Sequence, residues 1–184
     1  MKLICSTLFC LFLFTFSINA QVTIEPPTEG KSVIYFMRTS GVGGLLNFRF
    51  FDNTTYLGKF KGVNYMRYEC EPGEHMFWVK AENTDYLEAN LEAGKIYFVE
   101  ANGVPGLMTV GVKYKLVDYS HKRQFKRIQK LMAKKEPKVF TEEELKTDQE
   151  KFKLIIKDGL ATLERKRNRG KKLKRLEKDN NYKN

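Results

Sequence analysis

The chain has 184 residues, a formal net charge of +11 and 42% hydrophobic residues, enough for one compact core. Its 3 cysteines and 2 histidines are too few and too scattered for a disulfide scaffold or a zinc site built on His and Cys. The charge is unevenly divided: residues 21–120 carry 10 Lys+Arg against 12 Asp+Glu, about −2, and residues 121–184 carry 22 against 10, about +12. This predicts a compact head followed by a cationic helical arm, and such arms usually meet something anionic.

Lys2, the apolar run at residues 3–16 and Ser17-Ile18-Asn19-Ala20 have the three-part layout of a secretory signal peptide, residues 1–20, with Ala20 before the cleavage point. The run is shorter than the roughly 20 residues needed to span a bilayer. Phe9, bulky where lipoprotein processing wants a small residue, argues against lipidation at Cys10. Cys5 and Cys10 leave with the signal, so Cys70 remains as a small buried apolar residue and no intramolecular disulfide is expected.

After a linker at residues 21–30, residues 31–118 read as six to eight short strands. The segment 31–38 is apolar on both parities, as in a central strand. Leu46, Phe48 and Phe50 share one face of the next run, and Asn53-Thr54-Thr55 turns into the strand at 56–60. Glu71-Pro72-Gly73-Glu74 is a strong turn. Phe77, Val79 and Ala81 alternate with Trp78 and Lys80; Met108, Val110, Val112, Tyr114 and Leu116 give the cleanest period of two. The predicted fold is mainly β, a small antiparallel sandwich or open barrel followed by two C-terminal helices. Sixteen aromatics between residues 21 and 120 fill its core or line a groove on it.

Tyr35-Phe36-Met37-Arg38, then Phe50-Phe51-Asp52 with Leu57-Gly58, Pro72-Gly73-Glu74-His75 and Gly94-Lys95-Ile96-Tyr97-Phe98 follow a familiar order. Over roughly residues 31–130 the chain resembles the bacterial exported family called domain of unknown function 2846. The resemblance implies a β-rich domain of envelope or secreted proteins without an established activity, and it brings no catalytic residues. Phe98 stands where a second Tyr is common in that family, and the lipid-attachment cysteine of many exported relatives is missing.

Chemistry is sparse. Ser40-Gly41-Val42-Gly43-Gly44 is followed by strand-like sequence, leaving no helix N-terminus for a pyrophosphate, so a flexible inter-strand loop is expected. No Gly-x-Ser-x-Gly elbow occurs. The carboxylates Glu69, Glu71, Glu74, Glu82, Asp85, Glu88, Glu92 and Glu100 read as a solvated face, with a converging pair of glycosidase type as the remote alternative. No catalytic residue, metal ligand or cofactor is assigned.

In the arm, residues 119–136 form an amphipathic basic helix with Phe125, Ile128, Leu131 and Met132 among Lys122, Arg123, Lys126, Arg127 and Lys130. Pro137 ends it. Thr141 and Glu144 predict a capping box, Phe140 and Leu145 a hydrophobic staple, for a second helix at residues 140–168. Its apolar face packs within the chain, or forms a partner interface through Leu145, Phe152, Ile156, Leu160 and Leu163, or lies on a membrane. Residues 169–184 are expected to be frayed or disordered. Arg165, Lys166, Arg167, Arg169, Lys171, Lys172, Lys174 and Arg175 are the candidate anion-binding residues, for lipid headgroups or acidic glycan. Nucleic acid fits poorly, because the tail lacks interleaved aromatics.

The combined expectation is a non-catalytic exported binding or scaffolding domain, periplasmic or extracellular, peripheral at the bacterial envelope and without a transmembrane segment after signal cleavage. A structural subunit of an envelope complex, joined through the 145–163 face, is the alternative. A hydrolase using the head carboxylates is the third reading.

Overall fold

The computed structural model describes residues 24–106 and 110–183. The expected signal peptide, with Cys5 and Cys10, and Met108 of the last head strand lie outside the described residues.

The head comprises β1 (Ser32–Arg38), β2 (Phe48–Asp52), β3 (Thr55–Phe60), β4 (Asn64–Cys70), β5 (Gly73–Lys80), β6 (Thr84–Leu91), β7 (Ile96–Pro105) and β8 (Val110–Leu116). The arm adds α1 (Lys122–Met132), α2 (Glu142–Lys151), α3 (Lys153–Asn168) and a short strand, β9 (Lys174–Leu176). One sheet has the order β4-β1-β7-β8, the other β3-β2-β5-β6-β9. The fold is mainly β, an open two-sheet sandwich and not a closed barrel.

Both sheets are mixed, which corrects the purely antiparallel expectation. β1 runs parallel to β7, Val33 beside Ile96 and Met37 beside Glu100, and β9 runs parallel to β6. Alternation tells which face a side chain occupies, not the direction of the neighbouring strand. The five strands between β1 and β7 supply the long crossover that a parallel pair needs.

The apolar parity of β1 has a fuller explanation in the layering. Ile34 and Phe36 face the second sheet, in a core shared with Phe48, Phe50, Phe77 and Val79. Val33, Tyr35 and Met37 face the other way, with Phe98, and are covered by Ile128 and Leu131 of α1. The second sheet is two-faced in the same manner: Phe51, Trp78 and Tyr86 point outward under Phe152, Ile156 and Leu163. Four layers result, with α1, the two sheets and then α2–α3. Cys70 is buried in the inter-sheet core.

Three helices replace the predicted two. Thr141 caps α2, accepting from the Glu144 amide at 3.2 Å, while the Glu144 carboxylate accepts from the Thr141 amide at 2.8 Å. The expected single helix is interrupted at Phe152 (φ −99, ψ 11), whose ring is buried against Tyr56 at 5.2 Å. Phe140 joins the inter-sheet core and Leu145 the α3 cluster, so the staple positions serve two different cores.

The tail is the largest correction, because residues 169–184 are not disordered through residue 183. Beyond Gly170, β9 lies along the β6 edge and Leu176 is 1% exposed. A 3-10 turn at Lys178–Asn180 leads to Tyr182, whose amide donates to the Ile96 carbonyl at 2.7 Å. The Tyr182 ring stacks on Phe125 at 5.2 Å and meets Phe98 edge-on at 5.6 Å. Too few apolar residues are present for the tail to fold alone. A waiting sheet edge and an aromatic slot change that balance, since Leu173, Leu176 and Tyr182 need only dock.

Candidate anion-binding surface

The eight tail cations divide according to what the head offers them. Arg167 reaches Glu88 at 3.0 Å, Lys174 reaches Asp85 at 3.4 Å, and Arg175 bonds Glu74 at 2.7 Å and Glu177 at 2.8 Å. Lys166 lies over the Tyr86 ring at 5.6 Å, and Arg165 donates to Ala161 O and Thr162 Oγ1 within its own helix. Arg169, Lys171 and Lys172, around the Gly170 turn, are exposed and have no ion pair among the described residues. Exposed pairs of this kind contribute only about 0–1 kcal/mol each. Their effect is to turn three candidate anion ligands toward carboxylates already present.

The candidate partner face is covered. Phe152, Ile156 and Leu163 are buried on the second sheet, with Leu145 and Leu160 partly buried beside them. The interface reading of these five residues is corrected: the partner is the head itself. Burying each large side chain is worth about 1.5–3 kcal/mol, and the strongly aromatic outer face of β2 and β5 offers the complementary surface.

Between this helix and the β2–β3 turn lies an open cleft of about 660 Å³, lined by Asp52, Glu74, His75, Glu88, Arg167 and Arg175 among others. His75 Nδ1 donates to Asp52 at 2.7 Å and Nε2 to the Glu71 carbonyl at 2.8 Å. The ring also stacks on Phe77 at 5.1 Å. The bond to the Asp52 carboxylate, helped by Cys70 and the Glu71 carbonyl against the opposing effect of burial, raises its pKa to about 10. At neutral pH the imidazolium has no lone pair to take a proton, so this His–Asp pair orders the strand ends and does not resemble a general base. Among the described residues no cluster of three or more His, Cys, Asp or Glu could hold a metal ion.

A second group of cations without acidic partners lies on α1. α1 buries Ile128 and Leu131 and exposes Lys122, Arg123, Lys126 and Lys130. None of these four has an acidic partner among the described residues. Arg127 stands 3.9 Å from Glu100, a buried carboxylate that accepts from Gln124 Nε2 at 2.7 Å and from Thr39 Oγ1. Lys135 donates to the Val63 carbonyl at 2.6 Å, tying the helix end to the edge of the first sheet. A pocket of about 250 Å³ opens there, with Val63 and Leu131 on its wall and Arg127, Lys130 and Lys134 around it. In the sequence these α1 cations read only as the polar side of an amphipathic helix. The available signal was the absence of any Asp or Glu between Asp118 and Glu136.

Comparison with protein-family models and with curated proteins gave no match. No helix among the described residues is long and apolar enough to cross a membrane.

Proposed function

We propose that the chain is a non-catalytic binding module, exported and peripheral at the cell envelope, that seats on an anionic surface through the outer face of α1. The module class is the one implied by the resemblance to domain of unknown function 2846. The observation that carries the proposal is the arrangement of cations: in the tail Arg167, Lys174 and Arg175 meet head carboxylates and Arg169, Lys171 and Lys172 stay free only around the Gly170 turn, while Lys122, Arg123, Lys126 and Lys130 face solvent along one helix without acidic partners among the described residues. An exposed row of cations on a helix whose other side is fixed by Ile128 and Leu131 keeps its geometry when a surface approaches. Each such residue near an anionic lipid surface is worth about 1 kcal/mol before screening.

Co-sedimentation with vesicles of neutral and anionic phospholipid tests this. Binding should require anionic lipid and be released by salt. Replacing Lys126 and Lys130 by Gln should weaken it by about 2 kcal/mol, roughly thirtyfold. Equal weakening by Gln at Lys171 and Lys172, with α1 substitutions silent, would return the role to the tail. Absence of binding to anionic vesicles would remove the membrane form of the proposal.

A further inference from the structure

The sequence predicts a flexible connection between β1 and β2, and the structure gives that loop a built interior. Arg38, fully buried at the end of β1, stacks its guanidinium on Phe48 at 3.8 Å. The same group donates to three loop carbonyls: Val42 at 2.6 Å, Gly43 at 2.5 Å and Leu46 at 2.8 Å. From β7, Asn102 Oδ1 accepts from the amides of Thr39 and Ser40, each at 3.2 Å. Gly43 sits at φ +65 so close to β8 that a Cβ there would be 2.7 Å from Val110 Cγ1. The carbonyls of Val42, Gly43 and Leu46 turn inward, and two large apolar side chains remain outside, Leu45 at 89% exposed and Val42 at 47%, with Asn47 exposed at the loop's end.

Single exposed aliphatics are ordinary on a protein surface, and Val139 and Leu154 are of that kind. Leu45 and Val42 differ in lying on one constrained loop that adjoins the cationic end of α1. Thr39, at the start of the loop, lines the same pocket as Arg127, Lys130 and Lys134. Farther along, Gly44 O faces the Gly62 turn, next to exposed Lys61 and to Val63 of that pocket. Of the acidic residues close by, Glu100 is buried and accepts from Thr39 Oγ1, and Glu82 in the β5–β6 turn lies beyond Gly106. An apolar tip beside a cationic belt matches the boundary of an anionic bilayer, where acyl chains lie just beneath charged headgroups.

We infer that the loop at residues 39–47 is a membrane wedge: Leu45 and Val42 enter the acyl layer of an anionic phospholipid bilayer while Lys61, Lys130 and Lys134 meet its headgroups. This rests on the anionic-surface reading above and gives it a ligand class and an orientation. The loop end of the sandwich faces the membrane, with α1 tilted so that its last turn is nearest the headgroups. Arg38 serves as the strut that holds the tip out.

Tryptophan emission from a Leu45→Trp variant, mixed with vesicles carrying brominated acyl chains, tests the wedge. Trp78, the single native tryptophan, is buried against Phe51 and provides a constant background. With anionic vesicles, the emission of the introduced indole should shift to the blue and be quenched by bromine. Leu45→Ser should weaken vesicle binding about tenfold while leaving the unfolding midpoint unchanged. Sedimentation with anionic vesicles but unshifted, unquenched emission overturns the wedge and leaves the α1 reading standing. No sedimentation of the unaltered protein overturns both. A blue shift that grows with protein concentration in the absence of lipid assigns the tip to a second copy of the chain and overturns the membrane assignment.

Discussion

Gly159→Ala sets two opposed effects against each other on the buried side of α3. In an exposed helix the change would stabilise by about 1 kcal/mol, because glycine loses the most backbone freedom on becoming helical. Here the new Cβ would lie 2.6 Å from Trp78 Cη2 and 2.8 Å from Cζ3. The indole cannot slide aside cheaply: it is stacked on Phe51 with centroids 3.8 Å apart, and its Nε1 donates to Asn53 O at 2.8 Å. Lifting the helix instead would stretch the bond from Tyr86 Oη to Gly159 O, now 2.6 Å and buried. Overpacking of a rigid core costs about 1–3 kcal/mol, so the net expectation is a loss of about 1 kcal/mol. With a urea slope of about 2 kcal/mol per M, the midpoint falls by about 0.5 M. Trp78 emission follows the transition directly. Ala161→Gly, on the exposed side of the same helix, calibrates the propensity effect and should also destabilise by about 1 kcal/mol. If Gly159→Ala raises the midpoint, α3 is not seated on the second sheet and the covered status of the 145–163 face is wrong.

Two further outcomes follow from the arm and the cleft. His75 has a pKa of about 10 in the folded protein against an ordinary 6.5, so its pairing with Asp52 stabilises fully below about pH 6.5 and is lost as pH rises through 10. The stability difference between the unaltered protein and His75→Gln, read from urea midpoints, should therefore be largest near pH 6.5 and shrink toward pH 10; a difference growing with pH would refute the imidazolium assignment. Limited trypsin treatment followed by mass spectrometry should cut first around Arg169, Lys171 and Lys172 and only slowly after Lys174 and Arg175, which are held in β9. Equal cutting at all five would restore the disordered tail.

The strands were legible because Phe48 and Phe50, or Phe77 and Val79, repeat at a period that only a pleated backbone can bury on one side. The Thr141–Glu144 cap was legible because both partners are local. Strand direction was not, since nothing in residues 33–37 or 96–100 records which way the neighbour runs. Lys174-Arg175-Leu176 has almost no strand character of its own and takes it from the β6 edge. The candidate surface shows the same division. Cation content could be counted residue by residue, but whether a cation is free depends on carboxylates such as Glu74, 101 residues from its partner Arg175. His75 likewise stood alone in the sequence until folding brought Asp52 from 23 residues away.

The place of β9 in the second sheet also bears on when the molecule can complete itself. Its partner strand β6 is synthesised long before it, as are Phe98 and Phe125, which receive Tyr182. Until residues 174–182 have emerged, β6 is an open edge and the slot beside α1 is unfilled. Closure is thus a late event in the life of the nascent chain. Strands made far earlier are fastened by residues 174–182, and the order of synthesis leaves β6 without its outer neighbour until they arrive.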